Sequence, residues 1–253
     1  MPKPCMLAVY AHPDDEALVA GGVLAQHAAA GARTAVVTAT WAPSSHRAAE
    51  LAHAVDLLGA EEPRMLGYAD HWAPESAPGQ PRFCDAPLEE TVERVVAHVR
   101  DFRPDIIVTH DAHGSSGHPD HIHTHRVTLL AAHAAGLPGV FPQAGPPWQS
   151  GALYFSAHPQ SPSLGLAGLL ASVGKRVYTV PDEMITATVD VRPWLDRKWA
   201  AIQAHRSEAA RDRSLPGLLT GLPTQDREQV LGTEWFIRHD VRSTYNGFSE
   251  LAC

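Results

Sequence analysis

The stretch CMLAVYAHPDDEA, residues 5–17, joins a short apolar run to a cluster of acids. The run Cys5–Tyr10 predicts a buried β-strand, because it is short, apolar and followed at once by polar residues. The segment Glu16–Ala30 behind it predicts a helix. A strand that passes directly into a helix is the first half of a parallel βαβ unit. Ligands of an open parallel sheet bind beyond the carboxyl ends of its strands, which is where residues 11–17 fall.

Strand and helix patterns continue to alternate through the first half of the chain. Arg33–Thr38 and Ile106–Thr109 predict buried strands, whereas Ser45–Leu58 and Leu88–Asp101 predict helices. In the last of these, a leucine and four valines share one face and charged residues lie opposite. Parallel strands are joined by right-handed crossovers that place helices against the sheet. We therefore expect an α/β fold, a Rossmann-like three-layer α/β/α sandwich with a mostly parallel sheet.

The second half of the sequence is less regular. Pro, Gly and Ser are frequent over residues 136–181 and predict long loops, with one strand near Ala152–Phe155. Thr186–Val191 predicts a further strand. Pro193 then predicts the start of a helix that runs to about Arg211, since a proline is tolerated in the first turn.

No internal repeat, low-complexity tract or linker divides the sequence. The simplest organisation is a single domain over residues 1–253. Within it we expect a Rossmann-like core at 1–135 and an irregular part, with a substrate loop and the C-terminal segments, at 136–253.

Composition narrows the class of protein. The formal charge of -8, with no run of Lys or Arg, argues against a nucleic-acid partner. Cys5, Cys84 and Cys253 are odd in number and widely spaced, which is typical of a reducing compartment rather than a disulfide framework. The first apolar run is broken too early for a signal peptide, and none reaches the roughly 20 residues of a membrane span. We expect a cytoplasmic protein.

Histidine is unusually frequent, at 16 residues, and six of these lie in HDAHGSSGHPDHIHTH, residues 110–125. This stretch follows the strand Ile106–Thr109, so it and residues 11–17 lie at carboxyl ends of strands in the same predicted sheet. One His and one Asp from the first stretch can then meet a His from the second. A His–Asp–His set with an open position is typical of a catalytic zinc site.

Plainer interpretations exist for parts of these stretches. Asp14 or Asp15 could cap the helix that follows, although capping explains one acid and leaves His12 and the other acid unexplained. A dinucleotide site is disfavoured, because no GxGxxG follows the first strand and the acids there would repel a pyrophosphate. The remaining histidines in predicted helices are expected on helix surfaces or behind the site: His46, His53, His98, His123, His125 and His133.

AHPDDE near the N-terminus and GHPDHIHTH downstream resemble the LmbE-like (PIG-L) de-N-acetylase family. The family includes deacetylases of mycothiol and bacillithiol biosynthesis, GlcNAc-phosphatidylinositol deacetylases and tailoring deacetylases of natural-product pathways. The resemblance covers nearly the whole chain, because three further segments are similar to the family's: RAAEL (47–51), LGYAD (66–70) and KWAAIQAHRSE (198–208).

The resemblance implies a zinc site and a set of catalytic residues. The implied zinc ligands are His12, Asp15 and His121, with iron or cobalt able to take the place of zinc. Asp14 would be the general base, and His118 the acid or oxyanion partner, protonated when it acts. Asp120 would tune or orient His118.

The resemblance also implies residues that contact substrate. Arg47 and Asp70 align with residues that hold substrate hydroxyls in the mycothiol-pathway enzyme. Ser116 stands where that enzyme has a tyrosine, and Glu208 stands where glutamine is usual, which suggests a changed substrate contact. His71 and Trp72 suggest a polar ligand with an aromatic platform against a sugar face.

The expected activity is zinc-dependent hydrolysis of an N-acyl amide, N-acetyl in the family's pattern, on a small-molecule amino sugar or glycoside. One alternative is an amidase that acts on thiol conjugates of the mycothiol type or on another N-acylated natural-product intermediate. A non-catalytic metal-binding Rossmann-like module is disfavoured, because metal binding alone requires neither Asp14 nor His118. A metal-dependent nucleic-acid or phosphate enzyme is disfavoured by the negative charge. The sequence leaves open whether the protein forms a homo-oligomer.

Overall fold

A computed structural model describes residues 4–242 and contains one sheet of seven strands in the order β3-β2-β1-β4-β5-β7-β6. The strands are β1 Met6–Tyr10, β2 Thr34–Thr40, β3 Arg64–Tyr68, β4 Ile106–His110, β5 Ala152–Ser156, β6 Ala187–Asp190 and β7 Thr233–Asp240. The five strands from β3 to β5 pair in parallel, while β7 runs antiparallel to both β5 and β6. The expected α/β fold with a mostly parallel sheet is confirmed.

The helices are shorter and more numerous toward the C-terminus. They are α1 Asp15–Val19, α2 Gly21–Ala29, α3 His46–Leu58, α4 Leu88–Phe102, α5 Gly114–Gly117, α6 Pro119–Ala134, α7 Leu164–Ala171, α8 Leu195–Ala204, α9 Arg206–Ala209, α10 Leu215–Thr220 and α11 Thr224–Leu231. Single 3-10 turns lie at Pro74–Ser76, Phe83–Asp85, Pro142–Ala144, Asp182–Met184 and Arg192–Trp194.

Strand β1 is buried on both faces and separates two apolar cores. Ala8 and Tyr10 pack with residues of α2, α3 and α8 on one side, whereas Leu7 and Val9 pack with residues of α4 and α6 on the other. Side chains alternate across a strand, so an apolar run without alternation is what a strand between two helical layers requires. The sandwich is therefore the consequence of the uninterrupted apolar run after Cys5.

The prediction of a single helix over Glu16–Ala30 is wrong, because the structure has two helices, α1 and α2, that are separated at Ala20. The second helix begins at Gly21–Gly22, where it approaches Val191 so closely that a Cβ on Gly22 would lie 2.3 Å from the valine Cβ. The helix start exposes N–H groups that have no partner within the helix. Glu234 of β7 accepts two of them, from Gly22 at 2.8 Å and from Val23 at 2.9 Å.

The second half also differs from the sequence-based expectation. The helix expected from Pro193 to Arg211 is interrupted at His205, whose φ of -78° and ψ of 64° end α8 before the short α9 begins. Helix α7 lies in the region expected to be loops, and strand β7 was not expected at all. Strand β3, in the segment LGYAD and just before it, was likewise not expected.

Two observations concern the expected reducing compartment and the expected lack of a membrane span. Cys5 and Cys84 are free thiols, and Cys253 lies outside the described residues. Over residues 4–242 the structure has no helix that combines the length and the apolar character needed to cross a bilayer.

The strand order turns at β1, which lies between β2 and β4. The connections after β1 and β4 therefore leave the same edge of the sheet toward opposite helical layers, and a crevice opens between them. Crevices of this kind are the usual ligand sites of open α/β sheets. Residues 11–15 and His110 lie at this edge.

Candidate active site

The connection after β1 and the one after β4 meet in one cluster of histidines and acids. Asp14 has a φ of 136°, a conformation that is rare for a residue with a side chain, and it ends the turn that delivers Asp15 into α1. After β4, Gly114 packs so tightly on the start of α6 that a Cβ there would lie 2.8 Å from the Cβ of His121. The first connection therefore contains an unusual backbone conformation, and the second requires a glycine for close packing.

Three side chains with the implied ligand roles contact one another pairwise. His12 Nδ1 lies 3.0 Å from His121 Nε2 and 3.4 Å from Asp15 Oδ2. His121 Nε2 lies 3.4 Å from Asp15 Oδ1. The side chains are largely buried, at 9%, 13% and 9% exposed for His12, His121 and Asp15.

The partners of the outer ring nitrogens show how this trio fits a metal ion. His121 Nδ1 lies 3.1 Å from the carbonyl oxygen of Gly114, which can only accept, so Nδ1 donates and Nε2 of the neutral ring keeps its lone pair. His12 Nε2 lies 3.3 Å from a carboxylate oxygen of Asp120 and donates by the same argument. The two inner nitrogens are then both acceptors 3.0 Å apart, beside a carboxylate. Such an arrangement needs a cation between the two nitrogens, either a proton, which the raised pKa of His12 allows, or a metal ion. A carboxylate or carbonyl behind each histidine is typical of metal sites.

Electrostatics agree with a cation-binding cluster. Burial acts to raise the pKa of Asp15, but the interactions of its carboxylate with the imidazoles of His121, His110 and His12, including hydrogen bonds from the last two, outweigh burial and hold that pKa well below its ordinary value. Burial lowers the pKa of His121 well below its ordinary value, so the ring is neutral near neutral pH. For His12, burial is outweighed by hydrogen bonds to Asp120 and Asp15, which raise its pKa well above the ordinary value.

Other ligand atoms lie within reach of the same point. The groups whose ligand atoms lie within 4.8 Å of one another are His12, His118 and His121; Asp15, His110 and His121; and His12, Asp70, His118 and Asp120. His110 is the member that sequence reasoning did not single out. Its ring stacks on His121 with centroids 3.9 Å apart, and its Nε2 lies 3.3 Å from Asp15 Oδ2. Its position as the last residue of β4 was the available signal.

Asp14 lies beside the trio but is held differently. It precedes α1, yet its side chain makes no capping hydrogen bond, so the capping interpretation is wrong for Asp14. Its Oδ1 lies 3.3 Å from Arg47 NH2, and its backbone N–H donates to Glu16 at 3.0 Å. Burial raises the pKa of Asp14 to about 7, against the lowering effect of Arg47.

His118 is the N-cap residue of α6 at the other side of the crevice. Its Nδ1 accepts a hydrogen bond of 3.1 Å from the backbone N–H of Asp120, so the neutral ring carries its hydrogen on Nε2. Burial lowers the pKa of His118 to about 4, which favours a neutral Nε2–H donor over the protonated form that we expected. The ring packs edge-on against Trp72, with centroids 4.0 Å apart.

Asp120 is fully buried and differs in its contacts from the expected role. Its carboxylate lies closer to His12, at 3.3 Å, than to His118, at 3.9 Å. It also accepts backbone N–H groups of His71 at 2.8 Å and Cys84 at 3.0 Å. The carboxylate therefore orients His12, while Asp120 contacts His118 through its backbone N–H at 3.1 Å and more distantly through the carboxylate.

The residues expected to bind substrate line one cavity of about 840 Å³, together with the trio, Asp14 and His118. Arg47 NH1 donates to Glu208 Oε1 at 2.7 Å, and its Nε is buried without a partner. Asp70 Oδ2 lies 3.5 Å from His12 Nε2, so Asp70 is nearer the metal-binding group than expected. Ser116 is exposed at the cavity wall, on the short helix α5, whose Gly117 lies against Tyr178.

A buried pair behind Asp14 escaped the sequence analysis. Glu16 and His205 are fully buried, and His205 Nε2 lies 2.7 Å from Glu16 Oε1. The other Glu16 oxygen accepts the N–H of Asp14. Their positions inside HPDDE and KWAAIQAHRSE were a signal, but nothing in the sequence pairs two residues 189 positions apart.

The remaining helix histidines take the positions expected of them. His123 packs against Phe83 and His125 against Phe155, behind the site, with the His125 ring bonded to the His110 carbonyl at 2.9 Å. His133 lies opposite His239, away from the crevice.

The chain is similar to a known protein family and to several of its members. Residues 7–132 match the family described as GlcNAc-PI de-N-acetylase, PIG-L. A 1D-myo-inositol 2-acetamido-2-deoxy-alpha-D-glucopyranoside deacetylase of Geodermatophilus obscurus is 31% identical, over 98% of this chain and 97% of that protein. A protein of the same description from Rhodococcus opacus is 35% identical, over 80% of this chain and 81% of that protein.

Solved structures share the fold at lower identity. An N,N'-diacetylchitobiose deacetylase from Pyrococcus horikoshii has a TM-score of 0.65 at 18% identity, covering 98% of this chain and 88% of that one. A 4-carboxy-2-hydroxymuconate hydratase from Pseudomonas putida has the same TM-score at 20% identity, covering 96% of this chain and 99% of that one. Because a deacetylase and a hydratase share this architecture, the fold alone does not choose the reaction. The relatives' identity, extending over nearly the full chain, does decide the family: the chain belongs to the GlcNAc-PI de-N-acetylase (PIG-L, LmbE-like) family.

Proposed function

We propose that this protein is a metal-dependent N-deacetylase that hydrolyses the N-acetyl amide of an amino sugar or its glycoside. The observation that carries the proposal is the meeting of His12 Nδ1, His121 Nε2 and the Asp15 carboxylate in a cavity that also holds Asp14. Two neutral imidazole nitrogens and one carboxylate leave an open coordination position, the composition of catalytic zinc sites.

We assign zinc as the metal, with Fe²⁺ or Co²⁺ as substitutes that the same nitrogen and oxygen donors accept. When bound, the metal lowers the pKa of a coordinated water toward about 7 and polarises the amide carbonyl.

The chain's own residues handle the protons. Asp14 is next to a ligand but is turned toward Arg47, so its carboxylate is available to accept a proton from the attacking water. His118 presents Nε2–H into the cavity and is placed to donate to the developing oxyanion. The leaving amine must be protonated before it departs, and the proton taken up by Asp14 can be returned to it.

The substrate class is supported by the relatives' names and by the cavity. The curated relatives are described as deacetylases of an acetylated amino-sugar inositol glycoside. Arg47, Asp70 and Glu208 provide polar groups for sugar hydroxyls, and Trp72, 71% exposed at the cavity wall, provides a platform for a sugar face. A thiol-conjugate amidase is the alternative, since it would use the same amide chemistry on a different substrate. The cytoplasmic location and the role of Ser116 stay predictions.

The test is a panel of substrates for the zinc-loaded protein, with the free amine quantified. N-acetylglucosamine, its glycosides and N-acylated thiol conjugates form the panel. We expect acetate and amine in equal amounts from the amino sugars. Release of amine from the thiol conjugates alone would favour the alternative, and release from none would refute the deacetylase proposal.

A further inference from the structure

We propose that Ser115, His158 and Ser163 form a second polar subsite of the cavity, which binds a hydroxyl-bearing part of the substrate. The role of this subsite rests on the proposed function, since it selects among substrates of that same reaction. None of the three residues lies in a segment by which the chain resembles its family. His158 and Ser163 also lie beyond residues 7–132, which match the family.

Each of the three residues has a buried polar atom that has no hydrogen-bond partner among residues 4–242. The atoms are the hydroxyl oxygens of Ser115 and Ser163 and Nδ1 of His158. His110 Nδ1 and Asp111 Oδ2, in the connection after β4, are buried in the same way. Buried polar groups of native proteins are nearly always hydrogen-bonded. Since Ser115, His158 and Ser163 all line the cavity, a molecule bound there can supply the partners.

The two serine hydroxyls are not used by their own backbone, as serine hydroxyls often are. Ser163 is 2% exposed and is the N-cap residue of α7, where a serine usually accepts a backbone N–H, yet its side chain makes no capping hydrogen bond. Ser115 lies within α5 but has a φ of 56° and a ψ of -44°, outside the helical region. Both hydroxyls therefore keep their donor and acceptor capacity.

The strand order places the second subsite on one side of the metal-binding trio and the other polar residues on the opposite side. Strand β5 lies next to β4 with Ser156 opposite His110, and His158 follows two residues later. Arg47 and Asp70 follow β2 and β3, which lie beyond β1 in the other direction. Neighbouring strands are about 5 Å apart, so β5 is about 10 Å from β1. A substrate whose amide lies at the trio can thus reach both sides.

The second subsite carries no free positive charge. Burial lowers the pKa of His158 to about 4, against the raising effect of Asp111, so its ring is neutral near neutral pH. Lys198, the nearby cation that adds to this lowering, is paired with Glu234 at 2.8 Å. A carboxylate or phosphate would meet the charge of Asp111 without a cation to balance it.

The unpaired charges of the cavity belong to its mouth. Lys175, Arg176 and Asp226 line the cavity but are exposed, unlike the buried atoms of the second subsite. Burial and the charge of Arg211 lower the pKa of Lys175, which places it on the side of Glu208 rather than that of His158. An ionic substituent is therefore better held at the mouth than in the second subsite.

A hydroxyl group matches the partners that the second subsite offers. A neutral imidazole has one donor and one acceptor, and each serine hydroxyl both donates and accepts. A ligand hydroxyl has the same capacities, whereas an apolar group would leave the buried hydroxyls unpaired. The hydroxyl can belong to the acyl group that is removed or to the aglycone of the amino sugar, and the two sources are separated by experiment.

The experiment uses two pairs of substrates that differ only in hydroxyl groups, with the zinc-loaded full chain. N-glycolylglucosamine and N-propionylglucosamine test the acyl group, and the inositol and cyclohexyl glycosides of N-acetylglucosamine test the aglycone. A site built to bond a hydroxyl rejects the analogue that lacks it. We expect kcat/KM to be about tenfold higher or more for the hydroxylated member of one pair. The pair that shows the preference identifies the source, and equal turnover within both pairs would overturn the inference.

Three variants assign the preference to these residues. Ser163→Ala and His158→Phe remove the polar atoms, whereas Ser161→Ala changes an exposed serine two positions away that does not line the cavity. We expect the first two to lose most of the preference for the hydroxylated substrate while turnover of its hydroxyl-free partner is kept. Ser161→Ala should keep the preference. An unchanged preference in both Ser163→Ala and His158→Phe would overturn the placement of the subsite.

A binding measurement separates this inference from the proposed function. Calorimetry gives the affinity for N-glycolyl- and N-propionylglucosamine and for the inositol and cyclohexyl glycosides of glucosamine without turnover. If no substrate is deacetylated, the proposed function fails. Tighter binding of a hydroxylated ligand, lost in Ser163→Ala, then still supports the second subsite, and equal binding within both pairs still overturns it.

Discussion

At the scale of single residues, the ring nitrogens of His12 and His121 decide the chemistry of the crevice. Each ring donates outward, to Asp120 and to the Gly114 carbonyl, and each therefore presents a lone pair inward. Sequence patterns could place these histidines at strand ends, because the strands and the two stretches are local features. The same patterns could not identify His110 as part of the cluster, because its place there depends on the stacking of its ring against His121.

Replacing the adjacent acids Asp14 and Asp15 one at a time should have different effects on metal content and on kcat. Asp15→Asn weakens one corner of the trio and should lose most of the bound metal, since a neutral amide is a poorer ligand. Asp14→Asn should keep the metal and lower kcat by about 100-fold or more, the usual contribution of a general base. Elemental analysis and steady-state kinetics measure both effects. Full activity in metal-loaded Asp14→Asn would remove Asp14 from the reaction.

Glu16 and His205 should act as positioning residues through the Asp14 backbone. Loss of a hydrogen bond to a charged group costs about 1.5–3 kcal/mol, which corresponds to about 10- to 100-fold in rate. We expect Glu16→Ala to lower kcat by about that factor with metal content and KM little changed.

The pair offers its own controls. Glu16→Gln keeps an oxygen that can accept the Asp14 N–H and should recover part of the rate. Arg206→Ala, at the exposed neighbour of His205, should have no effect. If Glu16→Ala reduces only stability or metal content, and kcat per bound metal stays normal, the positioning role is excluded.

At the scale of elements, the breaks in the helices explain most of what the sequence analysis missed. Periodicity predicts that a segment is helical, but the break between α1 and α2 exists because Val191 lies against Gly22 and Glu234 accepts the freed N–H groups. The break before α9 turns the buried His205 toward Glu16. Both causes lie far along the chain, so no local pattern contains them.

The contact between α2, α8 and β7 yields a prediction about stability. Lys198 and Glu234 form an ion pair in which both side chains are 2% exposed. Removing one partner of such a pair leaves an uncompensated buried charge and costs about 3–5 kcal/mol. We therefore expect Lys198→Met to lower the free energy of unfolding by that amount in urea denaturation.

Adding Glu234→Gln to Lys198→Met should recover part of the loss, because the glutamine oxygen can still accept an N–H of α2. The exposed pair Arg192–Asp190, with side chains 71% and 53% exposed, serves as the control. Arg192→Ala should cost no more than about 1 kcal/mol. If breaking either ion pair lowered the free energy of unfolding by the same amount, burial would not determine how much such a pair contributes to stability.

At the scale of the whole molecule, histidines with lowered pKa values make stability depend on pH. Burial lowers the pKa of His98 to about 4, with Arg64 adding to the effect, and burial does the same to His158. In the unfolded chain a histidine titrates near about 6.5. Between about pH 6.5 and pH 4 the unfolded state therefore binds protons that the folded state refuses, and stability is lost as the pH falls through this window.

His98 allows this to be measured away from the crevice. We expect the urea midpoint of His98→Gln to fall less between about pH 7.5 and about pH 5 than the midpoint of the unaltered protein does. An equal fall of the urea midpoint in His98→Gln and in the unaltered protein would show that His98 has the same pKa in the folded and the unfolded chain.

The overall architecture was the part best predicted from sequence, because it follows from one buried apolar run and from alternation that is visible locally. The arrangement of the sheet beyond β5 was not predicted, since β7 lies between β5 and β6 although it follows β6 as the last strand of residues 4–242. Its sequence, TEWFIRHD, contains charged residues at 234, 238 and 240 and lacks the uninterrupted apolar run of the inner strands.

Three groups near the crevice take their partners from the last quarter of the chain. Glu16 is paired by His205, Arg47 by Glu208, and the first N–H groups of α2 by Glu234. The segments that contain the proposed metal ligands are nevertheless all synthesised earlier, by residue 121. During translation, a nascent chain that has emerged only as far as α6 would contain these ligands but not the partners of Glu16, Arg47 and α2. Assembly of a competent enzyme must wait for the strand that contains Glu234 to leave the ribosome.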